Sequence, residues 1–318
     1  MLTVGIASPA AAAITWVTVG DAGNDAKSEL NRSHTEVGNS NFGDGFGSVS
    51  YEYLIGEHMV TNSQYALFLN SVDAPGSNPF GIYNSNMESD AFRGGIAFNS
   101  GNLDGSKYSA ISGREDWPVV YVSWFDAARF SNWMTNGMGS GDTENGAYTL
   151  IDGQTSETSG FVPANTDFAG MVRLPTENEW FKAAYYDPTY DPNGNGPGGY
   201  YLLATQSDTI TTAQANYNNS VGTLTPVGSY GLPSFYGTFD QSGNAWEWND
   251  AVIGTSRGLR GGSWRGSVHP MRSSDRSQSG SSREDEFVGF RVVMVAPEPG
   301  RMALLMMFGL VLLARRRR

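Results

Sequence analysis

"FDQSGNAWEW", residues 239–248, places one carboxylate, Glu247, between Trp246 and Trp248, with a second, Asp240, seven positions upstream. Indole flanks point to burial, and a carboxylate without a partner is costly in a buried place. Three roles would satisfy it: chemistry, a bound metal ion, or pairing with an arginine and backbone amides. The rest of the chain bears on the choice.

The 318 residues include 8 Trp, 15 Tyr and 16 Phe, enough apolar bulk for a sizeable core. Charged residues make up only 16%, and there are 40 glycines. That profile describes a loop-rich globular protein in which turns outweigh long helices. The net charge is −12, and four of the 20 basic residues are the terminal Arg315, Arg316, Arg317 and Arg318, so the body is more acidic still. No basic stripe interleaves with aromatics, which argues against nucleic acid as a partner. An acidic body suits divalent cations. The absence of cysteine excludes disulfides, thiolate metal sites and cysteine nucleophiles.

Three helices are expected from capping boxes, a Ser or Thr followed three residues later by an acid or amide. They start at Thr61 with Gln64, at Ser123 with Asp126, and at Thr176 with Glu179. Short strand-like runs are "PVVYVSW", "MVRLP", "GLRGGSW" and "VGFRVVMV", the last alternating Val288, Phe290 and Val292 against Gly289, Arg291 and Val293. Loops rich in Gly, Asn and Ser fill the rest, so the fold class is α+β. Arg173 and Glu177 can pair near a helix start while Glu179 closes its cap. Trp124, Trp133, Trp180, Trp246 and Trp264 read as core. Arg260, Arg272, Arg276 and Arg291 read as ligands of loop carbonyls and carboxylates. Glu284 and Asp285 sit in "SGSSREDEF", which reads as a solvated loop. "DPNGNG", 191–196, opens like a calcium-binding EF-hand loop, but its twelfth position is Leu202 rather than a bidentate Glu, so it reads as a surface turn.

Six stretches occur in a fixed order: "YLIGEHMVTNSQYALFLN" (53–70), "PVVYVSWFDAARFSNWM" (118–134), "RLPTENEWFKAA" (173–184), "GNAWEW" (243–248), "RGGSW" (260–264) and "GFR" (289–291). Together they resemble the formylglycine-generating enzyme, or sulfatase-modifying factor, domain. The resemblance implies a decorated C-type-lectin-like fold over residues 14–295. It also implies a calcium site in which Asp240 and Glu247 give side-chain oxygens and Gly243 and Ala245 give carbonyls. Calcium accepts such mixed hard-oxygen sets. A second, weaker calcium site is implied in "ANYNNSV", with Asn216 and Asn219 as side-chain ligands and Tyr217 and Val221 as carbonyl donors.

The family's oxidase activity uses two cysteines that bind copper(I) shortly after the "GGS" motif. Here that region reads "RGGSWRGSVHPMRSSDRS", with Gly266 and Val268 near the expected positions. Copper(I) wants thiolate or thioether ligands; Met271 and His269 are nearby, but a lone pair of this kind is a weak signal, so no copper is expected. No iron is expected either: the histidines are only His34, His58 and His269, without H-x-x-x-H spacing. A diverged metal-dependent oxidase or nonheme iron enzyme stands as the alternative, and a structural matrix component as another. No G-x-S-x-G, P-loop or dinucleotide motif occurs.

The ends carry targeting information. "MLTVGIASPAAAAITW" is apolar, with no charge before Asp21 and an A-x-A site within Ala10 to Ala13. It reads either as a truncated signal peptide over residues 1–13 or as an ordinary first strand. Residues 296–318 resemble the PEP-CTERM sorting signal of Gram-negative bacteria: Pro297, Glu298 and Pro299, then apolar Met302 to Ala314, then Arg315 to Arg318. A 13-residue helix is about 20 Å long, short of a bilayer core of about 30 Å, unless the membrane thins and Arg301 snorkels. The terminal arginines should stay cytoplasmic, leaving the body outside. The resemblance implies export, a transient membrane anchor, cleavage by an exosortase-type enzyme, and a cell-surface or matrix location. The expected partner there is an extracellular polysaccharide or peptide.

Overall fold

A computed structural model describes residues 13–33, 44–150 and 170–295. His34, residues 1–12 of the 1–13 signal-peptide reading and the sorting signal from Pro297 to Arg318 lie outside the described residues.

All three capping boxes form. Thr61 caps α1 (Asn62–Val72), Ser123 caps α3 (Trp124–Thr135) and Thr176 caps α4 (Glu177–Tyr185), each with the reciprocal bond from the third helical residue. In each, two of the orphan amides at the helix start are satisfied locally. A short helix, α2 (Asn86–Ser89), lies between α1 and α3. Tyr65, Phe68 and Leu69 of α1, Phe130 and Trp133 of α3, and Trp124 are all buried in one cluster with Trp248 and Phe290. No helix among the described residues is long and apolar enough to cross a membrane.

Two four-stranded sheets frame the body. In the first, β1 (Trp16–Val19), β2 (Tyr53–Gly56), β12 (Val293–Val295) and β5 (Val172–Arg173) lie side by side, all antiparallel. In the second the order is β10 (Ser277–Gly280), β9 (Ser256–Arg260), β8 (Trp246–Ile253) and β11 (Val288–Phe290). There β11 pairs with β8 in parallel and the other pairs are antiparallel. Two hairpin-like pairs complete the set: β3 (Ile96–Phe98) with β4 (Tyr108–Ala110), and β6 (Tyr186–Asp187) with β7 (Gly199–Tyr200).

Two strand expectations need correction. "PVVYVSW" is buried but forms no strand: Tyr121 adopts φ 61°, which breaks extension, and Ser123 begins the cap of α3. "VGFRVVMV" is not one alternating strand but two strands in different sheets, β11 and β12, joined through Arg291 and Val292. Both of its faces are buried, because Arg291 at 0% exposure points to an internal carboxylate rather than to solvent.

Candidate functional site

The site expected from the sequence is built on three loops. Asn244 N–H donates to Asn216 O (2.8 Å), Trp264 N–H donates to Asn244 O (2.8 Å), and Asn219 N–H donates to Trp264 O (2.7 Å). The "GNAWEW", "ANYNNS" and "RGGSW" segments are thus cross-tied through backbone. Gly243 is required here. At φ 103° it turns the chain, and a Cβ on it would lie 2.5 Å from Asn216 O. Asn244, to which the sequence reading assigned no role, is the hub. Its side chain accepts from Asn216 Nδ2 (3.2 Å) and Thr225 N–H (3.0 Å) and donates to Thr225 O (3.1 Å). Its φ of 61° suits asparagine, which tolerates that region better than other side-chain-bearing residues.

Glu247 sits mid-sheet on β8, opposite Gly289 of β11 and Arg260 of β9, with no exposed surface. Its carboxylate is held by three donors: Arg291 Nε to Oε2 (2.6 Å), Arg291 Nη2 to Oε1 (2.8 Å) and Trp180 Nε1 to Oε2 (2.7 Å). Arg291 also donates to the carbonyls of Gly56, Glu57 and Phe239. The question posed by the two tryptophans therefore has a structural answer. Burial of the carboxylate is offset by a bidentate guanidinium and an indole N–H.

The same frame recurs nearby. Arg173 grips Glu179 at 2.7 and 2.6 Å, and Glu179 also accepts from Thr176 N–H. Burial alone would raise the Glu179 carboxyl, but Arg173 and the Thr176 cap outweigh it and hold it below its usual range. Glu177 accepts from both Arg260 (2.8 Å) and Arg276 (2.8 and 2.5 Å). The expected Arg173–Glu177 pair is thus corrected. The residue that closes the cap also takes Arg173, which frees Glu177 to bridge two arginines from the far end of the chain. Trp124, Trp133, Trp180 and Trp264 are buried as expected, and Trp246 partly so. Glu284 is not solvated: it is half-buried, accepts from Asn84, and lies close enough to Asp126 for the two carboxyls to influence each other. Burial and the Glu284 charge push the Asp126 carboxyl up to about 7.

Against this geometry the two implied calcium sites separate. At the first, both Glu247 oxygens already accept charge-assisted bonds, so its carboxylate does not fit the ligand role. Asp240 is turned inward at φ 60°, with Oδ2 accepting from Gly228 N–H (2.6 Å). Burial, partly countered by that amide and by Arg291, raises its carboxyl to about 6. Gly243 and Ala245 are buried in the same turn. At the second, Asn216 is 2% exposed, and its Oδ1 has no hydrogen-bond partner among the described residues although Nδ2 is fully used. A buried acceptor left in that state is what a hard cation, or a water, would satisfy, so this position fits. Asn219 and Val221 are exposed beside it, and Tyr217 O accepts from Ser220 N–H (3.1 Å). Among the described residues no three His, Cys, Asp or Glu side chains gather as a metal cluster, so a cation here would rest on amide and carbonyl oxygens. Beyond "RGGSW", Gly266 and Val268 lead into a single 3-10 turn, His269–Met271, with Met271 buried and His269 Nδ1 in contact with Arg272 Nη1 (3.1 Å).

Residues 39–296 match the Sulfatase-modifying factor enzyme 1-like domain. The chain belongs to that family. Among curated proteins it is 30% identical over 146 residues to hercynine oxygenase of Mycolicibacterium smegmatis, covering 38% of this chain and 32% of that protein. It is 29% identical over 144 residues to formylglycine-generating enzyme of Thermomonospora curvata, covering 44% and 35%. The chain thus spans about a third of the length of these relatives. Among solved structures it is similar to CarF, with a TM-score of 0.56 at 23% identity, covering 89% of this chain and 98% of that one. It is also similar to Treponema denticola variable protein 1, with a TM-score of 0.54 at 20% identity, covering 89% and 95%. The sulfatase-modifying-factor fold, mixed α and β with few helices, is therefore shared across nearly the whole body.

Proposed function

We propose that this member of the family is an exported, non-catalytic binding protein that presents its lectin-like loops to an extracellular polysaccharide or peptide. One observation carries the reading. Where the resemblance places the oxidase's copper ligands, the chain has Gly266 and Val268, and it has no cysteine anywhere. Glycine and valine side chains offer no donor to any metal. Glu247, Glu177 and Glu179 are each paired to buried arginines. Those carboxylates hold loops in place and are not free to act as acids or bases.

Within this proposal Asn216 Oδ1 would hold calcium together with neighbouring carbonyls, stiffening the 216–221 loop where its exposed residues meet a ligand. The tail from Pro297 would act as a sorting signal: an exosortase-type enzyme would release the body from the inner membrane to the cell surface or matrix. A second reading, a diverged metal-dependent oxygenase, is favoured by the likeness to hercynine oxygenase. The two readings separate on redox metal and oxygen. The purified chain should retain no stoichiometric copper or iron by elemental analysis and consume no oxygen with thiol substrates. Stoichiometric iron with oxygen uptake would overturn the proposal in favour of the second reading.

A further inference from the structure

A cleft of about 310 Å³ lies between the residues leading into β1 (Ala13, Ile14, Thr15), the turn and first residues of α1 (His58, Met59, Thr61, Gln64), and Asp116 with Val227. That volume is at the lower end of ligand pockets, roughly 300–1,000 Å³. The walls are tied together: Glu57 N–H donates to Thr15 O (2.8 Å), Val227 N–H to Asp116 O (2.8 Å) and Gln64 Nε2 to Ala13 O (3.2 Å). His58 is held flat by stacking on Phe239, with ring centroids 5.1 Å apart. Behind it Gly228 has φ 71°, and a Cβ there would come within 2.7 Å of His58 Nε2. The imidazole is thus seated by the backbone, yet neither ring nitrogen has a hydrogen-bond partner among the described residues. Its nearest charged neighbour is Glu57, at 3.7 Å. Burial, with Arg291 adding to it and Asp116 opposing, lowers the imidazole to about 4, so it is neutral near pH 7.

The lining sorts cleanly by chemistry. Ile14, Met59 and Val227 make an apolar floor. Both ends of the Gln64 amide are already used, on Thr61 N–H and Ala13 O. What remains is the Asp116 carboxylate, which accepts only, a neutral imidazole with one acceptor nitrogen, and the Thr15 hydroxyl, since the Thr61 hydroxyl already accepts from Gln64 N–H in the cap. No Lys or Arg lines the cleft, and Arg291 behind His58 is neutralised by Glu247. An acceptor-rich, anionic rim over an aliphatic floor suits a donor-rich, cationic head on a short alkyl body. We propose that this cleft is a binding site for a small primary-ammonium ligand, its N–H groups on Asp116 and His58 and its alkyl part on Ile14, Met59 and Val227. The proposal goes beyond the polymer-binding reading and does not depend on it.

The test uses the purified full chain in detergent and three isosteric probes: n-butylammonium, n-butanol and butyrate. Saturable calorimetric binding is expected for n-butylammonium at pH 7 and not for the other two. Asp116 is exposed and makes no side-chain hydrogen bond among the described residues, so Asp116→Asn should fold and weaken binding about tenfold, equivalent to about 1.4 kcal/mol. His58→Phe, which keeps an aromatic ring against Phe239, should also weaken it. Absence of saturable binding, equal binding of butanol or butyrate, or unchanged affinity in Asp116→Asn would each overturn the assignment.

Discussion

Replacing Arg291 by methionine keeps most of the side-chain volume but removes five hydrogen bonds, two to Glu247 and three to the carbonyls of Gly56, Glu57 and Phe239. Both partners of the ion pair have 0% side-chain exposure, so Glu247 would be left as an uncompensated buried charge. Breaking such a pair costs about 3–5 kcal/mol. For a domain of this size, with Tm falling ~2–4 °C per kcal/mol, that is a loss of roughly 6–20 °C. Urea unfolding followed by tryptophan fluorescence is a suitable assay, because Trp180 donates to the same carboxylate and reports on it directly. The double variant Arg291→Met with Glu247→Leu should recover much of the loss, since the stranded charge is gone. The deficit of the single variant should be the same in calcium and in chelator, because Glu247 is neutralised by the guanidinium rather than by a metal. A single-variant cost under about 1 kcal/mol would refute the reasoning, given the magnitude expected of a buried pair. A deficit that appears only in chelator would refute it as well.

Three further outcomes follow from the structure. Asp126 prefers its proton in the fold, with a carboxyl raised to about 7 against about 4 in the unfolded chain. Its contribution is therefore full below about pH 4 and is lost as pH rises to about 7, by ~2–4 kcal/mol; Asp126→Asn should flatten that part of the stability–pH curve. Gly243→Ala places a methyl 2.5 Å from Asn216 O at φ 103°, and equilibrium unfolding should show a loss of about 2 kcal/mol or more. If calcium binds at Asn216, chelator should lower the Tm of the chain, and Asn216→Ala should abolish that difference; an unchanged melt with no calcium in the protein would defeat the site.

The parts of the fold that were legible in the sequence are those whose causes are local. A cap and its partner three residues on are neighbours in the chain, so Thr61, Ser123 and Thr176 announced their helices correctly. The arginines were legible by type, since a buried guanidinium must find carboxylates and carbonyls, but not by partner. Arg173 pairs with Glu179, whose carboxylate folds back onto the cap residue Thr176, while Glu177 is claimed by Arg260 and Arg276, distant in sequence. Alternation misled at 288–295, because a switch between sheets at Arg291 leaves no mark on a period-two pattern. Polar composition misled at Glu284, whose surroundings are set by Asn84 and Asp126 rather than by its own neighbours in sequence. Glu247 could not be assigned from its indole flanks alone, since a cation and a guanidinium meet the same need.

The functional account rests on one claim: a family scaffold without cysteine after "RGGSW" does not oxidise cysteine. The direct measurement is mass spectrometry of a cysteine-containing sulfatase peptide incubated with the chain, copper(I) and oxygen. The account predicts an unmodified cysteine at every time point. Conversion of that cysteine to an aldehyde would contradict it.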